Sequence, residues 1–89
     1  MTRGYVFTGL VQGLAEVVGF VQEGPGVRIS IREPKLAAAS ELGASVALNG
    51  CCLTAVAVED ERLDFQAGEE TLSRTNLGRL TAGGVVNFE

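Results

Sequence analysis

Glycine interrupts this chain from one end to the other, twelve times in 89 residues, at positions that include Gly9, Gly13, Gly19, Gly24, Gly43, Gly50, Gly68, Gly78, Gly83 and Gly84. A residue that costs about 1 kcal/mol in a helix interior and marks turns and bulges leaves room only for short elements. Between the glycines the pattern is that of strands. Val27-Arg28-Ile29-Ser30-Ile31 alternates apolar and polar residues with period two, which places Val27, Ile29 and Ile31 on one buried face. Residues 6–11 and 15–21 are rich in β-branched and aromatic side chains and read as a bent hairpin, with Gly13 between them as a turn or bulge. Strands are also expected over 45–48, 53–58, 63–67 and 85–88, with Glu59-Asp60-Glu61-Arg62 as a charged turn. Two segments depart from this pattern. Residues 34–43 open on Pro34 and close on Gly43, the asymmetry of a short helix, and residues 70–78 follow acids and close on Asn76-Leu77-Gly78, one or two helical turns. Leu72 and Leu77 are expected to cap the open end of the sheet. Together these segments predict an all-β fold, a small closed β-barrel of about six strands with two short helices, because closure removes exposed sheet edges.

At 89 residues the chain is one domain with a small core, and its stability leans on a ligand or a partner. Seven basic residues against eleven acidic ones give a net charge of −4, and the basic ones are scattered, so a phosphate-tracking nucleic-acid surface is excluded. Histidine is absent, which removes the usual general base near neutral pH, the commonest metal ligand and every Ser-His or Cys-His pairing. The two cysteines, Cys51 and Cys52, are adjacent; a bridge between neighbours needs a distorted peptide, and two thiols cannot supply four tetrahedral metal ligands. Reduced thiols, no long apolar run and no secretory signal pattern lead to the expectation of a cytoplasmic protein with no membrane segment and no metal.

Three places could carry chemistry. In Asn49-Gly50-Cys51-Cys52-Leu53-Thr54 a turn signal runs into a strand, so Cys52 and Thr54 share one face while Cys51 and Leu53 share the other, and one pair faces the core. In Phe7-Thr8-Gly9-Leu10-Val11 a glycine sits inside a strand, marking either a barrel corner or the close approach of backbone to a flat ligand. Glu69-Glu70-Thr71 sets two carboxylates and a hydroxyl at a helix start, where charge–dipole placement and capping are the alternative to a binding role.

At these same places the sequence resembles the riboflavin synthase family, specifically its N-terminal lumazine-binding barrel. The matching segments are Phe7-Thr8-Gly9-Leu10-Val11, then Asn49-Gly50-Cys51-Cys52-Leu53-Thr54-Ala55-Val56, then Glu70-Thr71-Leu72-Ser73-Arg74-Thr75-Asn76-Leu77-Gly78, with Val86-Asn87-Phe88-Glu89 at the close. The resemblance runs over 7–89, in order and spacing, and makes 1–6 an N-terminal extension. It implies a six-stranded Greek-key barrel that binds 6,7-dimethyl-8-ribityllumazine or riboflavin. It further implies half of a site in which two lumazines exchange a four-carbon unit to give riboflavin, with no metal and no redox cofactor. Positioning two flat heterocycles face to face then supplies much of the acceleration.

By the same resemblance Phe7 and Cys52 lie near the reacting ring as the catalytic candidates. The backbone at Gly9, Leu10 and Val11 lies against the ligand, with Cys52, Leu53 and Thr54 on a neighbouring strand, and Gln66, Ala67, Gly68, Glu69, Glu70 and Thr71 close the pocket. Thr54 and Thr71 are expected to pair the pyrimidinedione edge, Ser45 and Glu70 the ribityl hydroxyls. The family carries two barrels in tandem, whereas this sequence matches the first, so weak turnover and a homodimer are expected, with a stand-alone flavin or lumazine carrier as the alternative. Ala67-Gly68-Glu69 also stands where the family has a bulkier apolar stretch.

Overall fold

A computed structural model describes residues 13–75, 77–80 and 82–89, so the strand expected over 6–11 lies outside the described residues. Six strands, β1 (Gly13–Glu23), β2 (Gly26–Arg32), β3 (Ser45–Leu48), β4 (Cys51–Glu59), β5 (Arg62–Ala67) and β6 (Val85–Phe88), form one closed antiparallel barrel in the order β1-β2-β5-β4-β3-β6. Two helices interrupt them, α1 (Pro34–Ala39) and α2 (Glu69–Arg74), the second followed by a single 3-10 turn at Leu77–Arg79. The β3-β4-β5 meander is flanked by β2 beside β5 and by β6 beside β3, so the barrel contains two overlapping Greek keys, as expected.

The turns follow from their residues. β1 and β2 are joined by Gly24-Pro25, with Gly24 at φ +62°, and β3 and β4 by Asn49-Gly50, with φ +49° and +85°. Positive φ at the first or at both positions is what two-residue hairpins need to match strand twist. Asp60, at φ +43°, turns β4 into β5 within the expected charged segment. Gly13 is neither turn nor bulge: it opens β1 opposite Phe88. The irregularity in β1 falls instead between Val17 and Gly19, with a second in β4 between Ala55 and Ala57. α1 is shorter than the expected 34–43, whereas the six residues of α2 are the one or two helical turns expected. α1 stops at Ala39 because Ser40 takes extended backbone, and its N-cap is Glu33, whose carboxylate accepts from the Leu36 amide at 2.7 Å. α2 stops at Arg74 because Thr75 is extended.

Alternation fills the interior. Ala15, Val17, Ile29, Ile31, Val46, Leu48, Leu53, Ala55, Leu63, Phe65, Val86 and Phe88 all point inward and are buried. α1 seals the end where β2 stops and β5 starts, with Leu36 and Ala37 in the core; α2 and the 3-10 turn lie at the other end. Leu77 is fully buried there and Leu72 packs part-buried against the core, the capping role expected of them. Burying a leucine of this kind is worth about 2 kcal/mol.

The outside is divided. Across β2, β5 and β4, Arg28 contacts the buried Asp64 at 2.9 Å, Arg62 contacts Asp64 at 3.3 Å and Glu59 at 2.6 Å, and Arg32 contacts Glu61 at 2.8 Å. Outward positions of β3 and β6, and of β4 ahead of its bulge, carry Ser45, Ala47, Cys52, Thr54, Val85 and Asn87 and no charge.

Candidate functional site

The Asn49-Gly50 turn sets the site's geometry. Its amide and side chain both engage β6: Asn49 N donates to Asn87 O at 2.8 Å, and Asn49 Oδ1 accepts from Asn87 N at 3.0 Å. This clamp fixes where β4 starts and therefore which way each following side chain faces. Leu53 is buried and Cys51 half-buried, so they are the pair that faces the core, while Cys52 and Thr54 are exposed on the outer face. On β3, Ser45 stands opposite Thr54, and its Oγ lies 2.8 Å from Cys52 Sγ, either atom being able to donate. Ser45, Cys52 and Thr54 are thus one exposed cluster of two hydroxyls and a thiol. Cys52 is not a core residue, and Asn49, which sequence reasoning left as a turn signal, is what positions it.

The second group lies across a break in the sheet. The β4–β5 ladder runs from Glu59↔Arg62 to Ala55↔Phe65 and stops, although β4 extends back to Cys51 and β5 forward to Ala67. The first residues of β4 pair with β3, and the last residues of β5 pair with β2. Between them the sheet is not laddered, an opening in the hydrogen-bond network bordered by Cys52, Leu53 and Thr54 on one side and Gln66, Ala67 and Gly68 on the other. Strand backbone beside such an opening offers amide and carbonyl groups in a fixed spacing suited to the polar edge of a flat heterocycle.

The individual placements are unequal. Ala67 is buried, so it and Leu53 have only main chain to offer. Gln66 projects outward and its amide donates to Glu23 at 2.5 Å. Gly68 is the N-cap of α2, Glu69 and Glu70 fill its first turn, and Thr71 is half-buried with its carbonyl accepting from Thr75 Oγ1 at 2.8 Å. Glu70 is exposed and paired with Arg74 at 3.1 Å, so the favourable charge placement at a helix start is realised beside any binding role. Phe7, Gly9, Leu10 and Val11 lie outside the described residues. Among the described residues no group of three or more His, Cys, Asp or Glu is placed to hold a metal ion, and no helix is long and apolar enough to cross a membrane.

Comparison with known proteins gives the same answer as the motifs. The chain is 43% identical over 86 residues to a riboflavin synthase of Escherichia coli (strain K12), a match covering 94% of this chain and 40% of that protein. It is 41% identical over 85 residues to a riboflavin synthase of Mycobacterium tuberculosis (strain ATCC 25618 / H37Rv), covering 94% and 42% respectively. A riboflavin synthase of Bacillus amyloliquefaciens is more distant, at 31% over 84 residues. The chain therefore spans about two-fifths of the length of the curated relatives it matches. The family model for the lumazine binding domain matches residues 8–89, nearly the whole barrel and its ends, and the chain belongs to that family.

Proposed function

We propose that this barrel binds 6,7-dimethyl-8-ribityllumazine or riboflavin and provides one half of the site at which two lumazines are converted to riboflavin. The observation that carries the reading is the opening where the β4–β5 ladder stops, bordered by Cys52–Thr54 and Gln66–Gly68. The ring lies in this opening with its pyrimidinedione edge on strand backbone and on the hydroxyls of Thr54 and Thr71. The ribityl chain runs to Ser45 and Glu70, and Gly9, Leu10 and Val11 supply further backbone.

The chemistry asks little of an individual side chain. The C7 methyl protons of the lumazine are already acidic, and stacking a second lumazine against the first brings donor and acceptor of the four-carbon unit together, an advantage that oriented encounter can make very large. Cys52, held by Ser45, and Phe7 sit beside the reacting ring. Cys52 is exposed, so it is positioned to meet a second ring presented by another barrel. That barrel is a second copy in a homodimer: Leu14 and Val85, each about three-fifths exposed, lie on neighbouring strands beside the uncharged outer face, whereas the ion pairs occupy the other side. Both cysteines are free, which suits the reducing cytoplasm.

Fluorescence titration of the purified chain with the lumazine and with riboflavin tests the reading, followed by monitoring the lumazine mixture for riboflavin. Saturable binding, weakened by Thr54→Val, is expected, with slow product formation that Cys52→Ala abolishes. Failure to bind either compound refutes it; tight binding without any product selects a carrier instead.

A further inference from the structure

Beyond the opening, the Asn49-Gly50 turn faces the end of α2 and the 3-10 turn across a cleft of about 610 Å³, lined by Asn49, Gly50, Cys51, Arg74, Thr75 and Arg79. Two guanidinium groups and no carboxylate line this cleft, in a chain whose net charge is −4. Arg74 pairs with Glu70 at 3.1 Å, both about three-quarters exposed, a contact that is readily exchanged for another anion. Among the described residues Arg79 makes no ion pair. All eleven acidic side chains of the chain fall within the described residues, so its partner is not hidden in the remainder. Thr75, which also lines the cleft, carries no charge, and its hydroxyl is engaged locally, donating to Thr71 O and accepting from Leu77 N. The basic side chains over the β2–β5 face, by contrast, all end on carboxylates.

We propose that this cleft is a binding site for a phosphate monoester. Two arginines converging on one concave surface match the charge of a dianion, and their planar forks match its oxygens in pairs. Two arginines in a chain of net charge −4 are too few to track a nucleic-acid backbone.

Placing the ester on the ligand already described rests on the reading above. α2 runs from Gly68, at the opening, to Arg74, at the cleft, and its six residues span about 9 Å. A five-carbon polyol leaving the ring along α2 brings a terminal phosphoryl group to the two arginines. The site therefore favours the phosphorylated over the free form of a ribityl ligand, with Arg74 and Arg79 as the residues that set this preference.

Two measurements on the purified chain separate the proposals. In the first, inorganic phosphate is titrated at low ionic strength, against matched chloride, while amide and arginine Nε–Hε signals are followed by NMR. Saturable shifts at Gly50, Cys51, Thr75 and Arg79 are expected, lost in Arg79→Gln and Arg74→Gln and kept in Lys35→Gln; the same spectra report folding. No saturable shift, or shifts that survive both arginine variants, overturns the inference even if riboflavin binds. In the second, riboflavin and riboflavin 5′-phosphate are compared by fluorescence, and about tenfold tighter binding of the ester is expected, removed by Arg79→Gln without change for riboflavin. Equal affinities overturn the link to the ribityl chain and leave the cleft a site for free phosphate or another ester. Phosphate shifts without binding of either flavin overturn the lumazine reading and uphold this one.

Discussion

Gly26 and Gly68 meet where β2 passes the end of β5, and the structure gives them opposite tolerances. A methyl group built on Gly26 would overlap the Ala67 carbonyl oxygen and lie 3.1 Å from Gly68 Cα and 3.2 Å from Ala67 C; one built on Gly68 would meet nothing within 4 Å. Gly68 has φ −79°, which any residue adopts. Gly26→Ala must therefore push β5 away, at about 1–3 kcal/mol for overpacking and about 1 kcal/mol for a weakened Val27↔Ala67 ladder end. Restricting the unfolded chain returns about 0.5–1 kcal/mol. The expected net loss is about 2 kcal/mol, or a fall of about 8–16 °C in Tm for a domain of this size. Gly68→Ala should cost only about 0.5 kcal/mol, the difference between glycine and alanine at an N-cap. Urea denaturation of both variants gives the comparison. Ligand titration on folded protein should show weaker lumazine binding in Gly26→Ala, because the displaced residues border the opening. Equal stabilities for the two variants would refute the close-approach argument.

Asp64→Ala should destabilise by about 2 kcal/mol, since it removes the buried carboxylate that Arg28 and Arg62 share, while each arginine keeps Glu23 or Glu59 as a partner; Glu61→Ala, which breaks only a half-exposed pair, should cost about 0.5 kcal/mol or less. Chemical denaturation distinguishes them, and equal effects would show that Asp64 behaves as a solvated charge. Leu77→Ala should cost about 2–4 kcal/mol, because the side chain is fully buried under the barrel end, and Leu42→Ala about 0.5 kcal/mol or less, because that leucine is 71% exposed; a thermal melt of the pair is sufficient.

Much of this was legible because a half-buried strand writes its burial into every second residue. Alternation assigns Val27, Ile29 and Ile31 to one inward face, where Ile29 and Ile31 are fully buried and Val27 is half-buried against the core, and the Asn49-Gly50 dipeptide announces its turn because both residues accept positive φ readily. The helix ends were less legible. Pro34 marks a start by its fixed φ, but Ser40 and Thr75 end their helices by turning extended, which their side chains do not require. The bulges could not be read at all: Val17, Val18 and Gly19 give the same composition in a regular strand, and the extra residue is set by which neighbours β1 must reach. For the site, the sequence specified that Cys52 and Thr54 share a face but not which face. Nor does any local pattern bring Arg74 and Arg79 to the Asn49-Gly50 turn, since that contact depends on closure of the barrel.

The two bulges explain why a closed barrel has an opening. β1 pairs with β6 through its first residues and with β2 from Glu16 onward; β4 pairs with β3 through its first residues and with β5 through its last. These strands are diametrically opposed in the barrel order, and they are the two that carry bulges, so they act as corners joining β2–β5 to β3–β6. At the β1 corner Val17 holds the chain ahead of β6, its carbonyl accepting from Gly83 N at 2.7 Å. At the β4 corner no ladder joins Thr54 to Gln66, and that is the opening. Val56 is the extra residue there, and deleting it keeps Ala55 paired with Phe65 and leaves Ala57 and Val58 on their present faces. Without the added twist the ladder can continue over Thr54 and Gln66. The deletion variant should therefore stay folded, with newly slow hydrogen exchange at these residues, and lose lumazine binding. Retained binding by a folded deletion variant would show that the opening is not where the ligand sits.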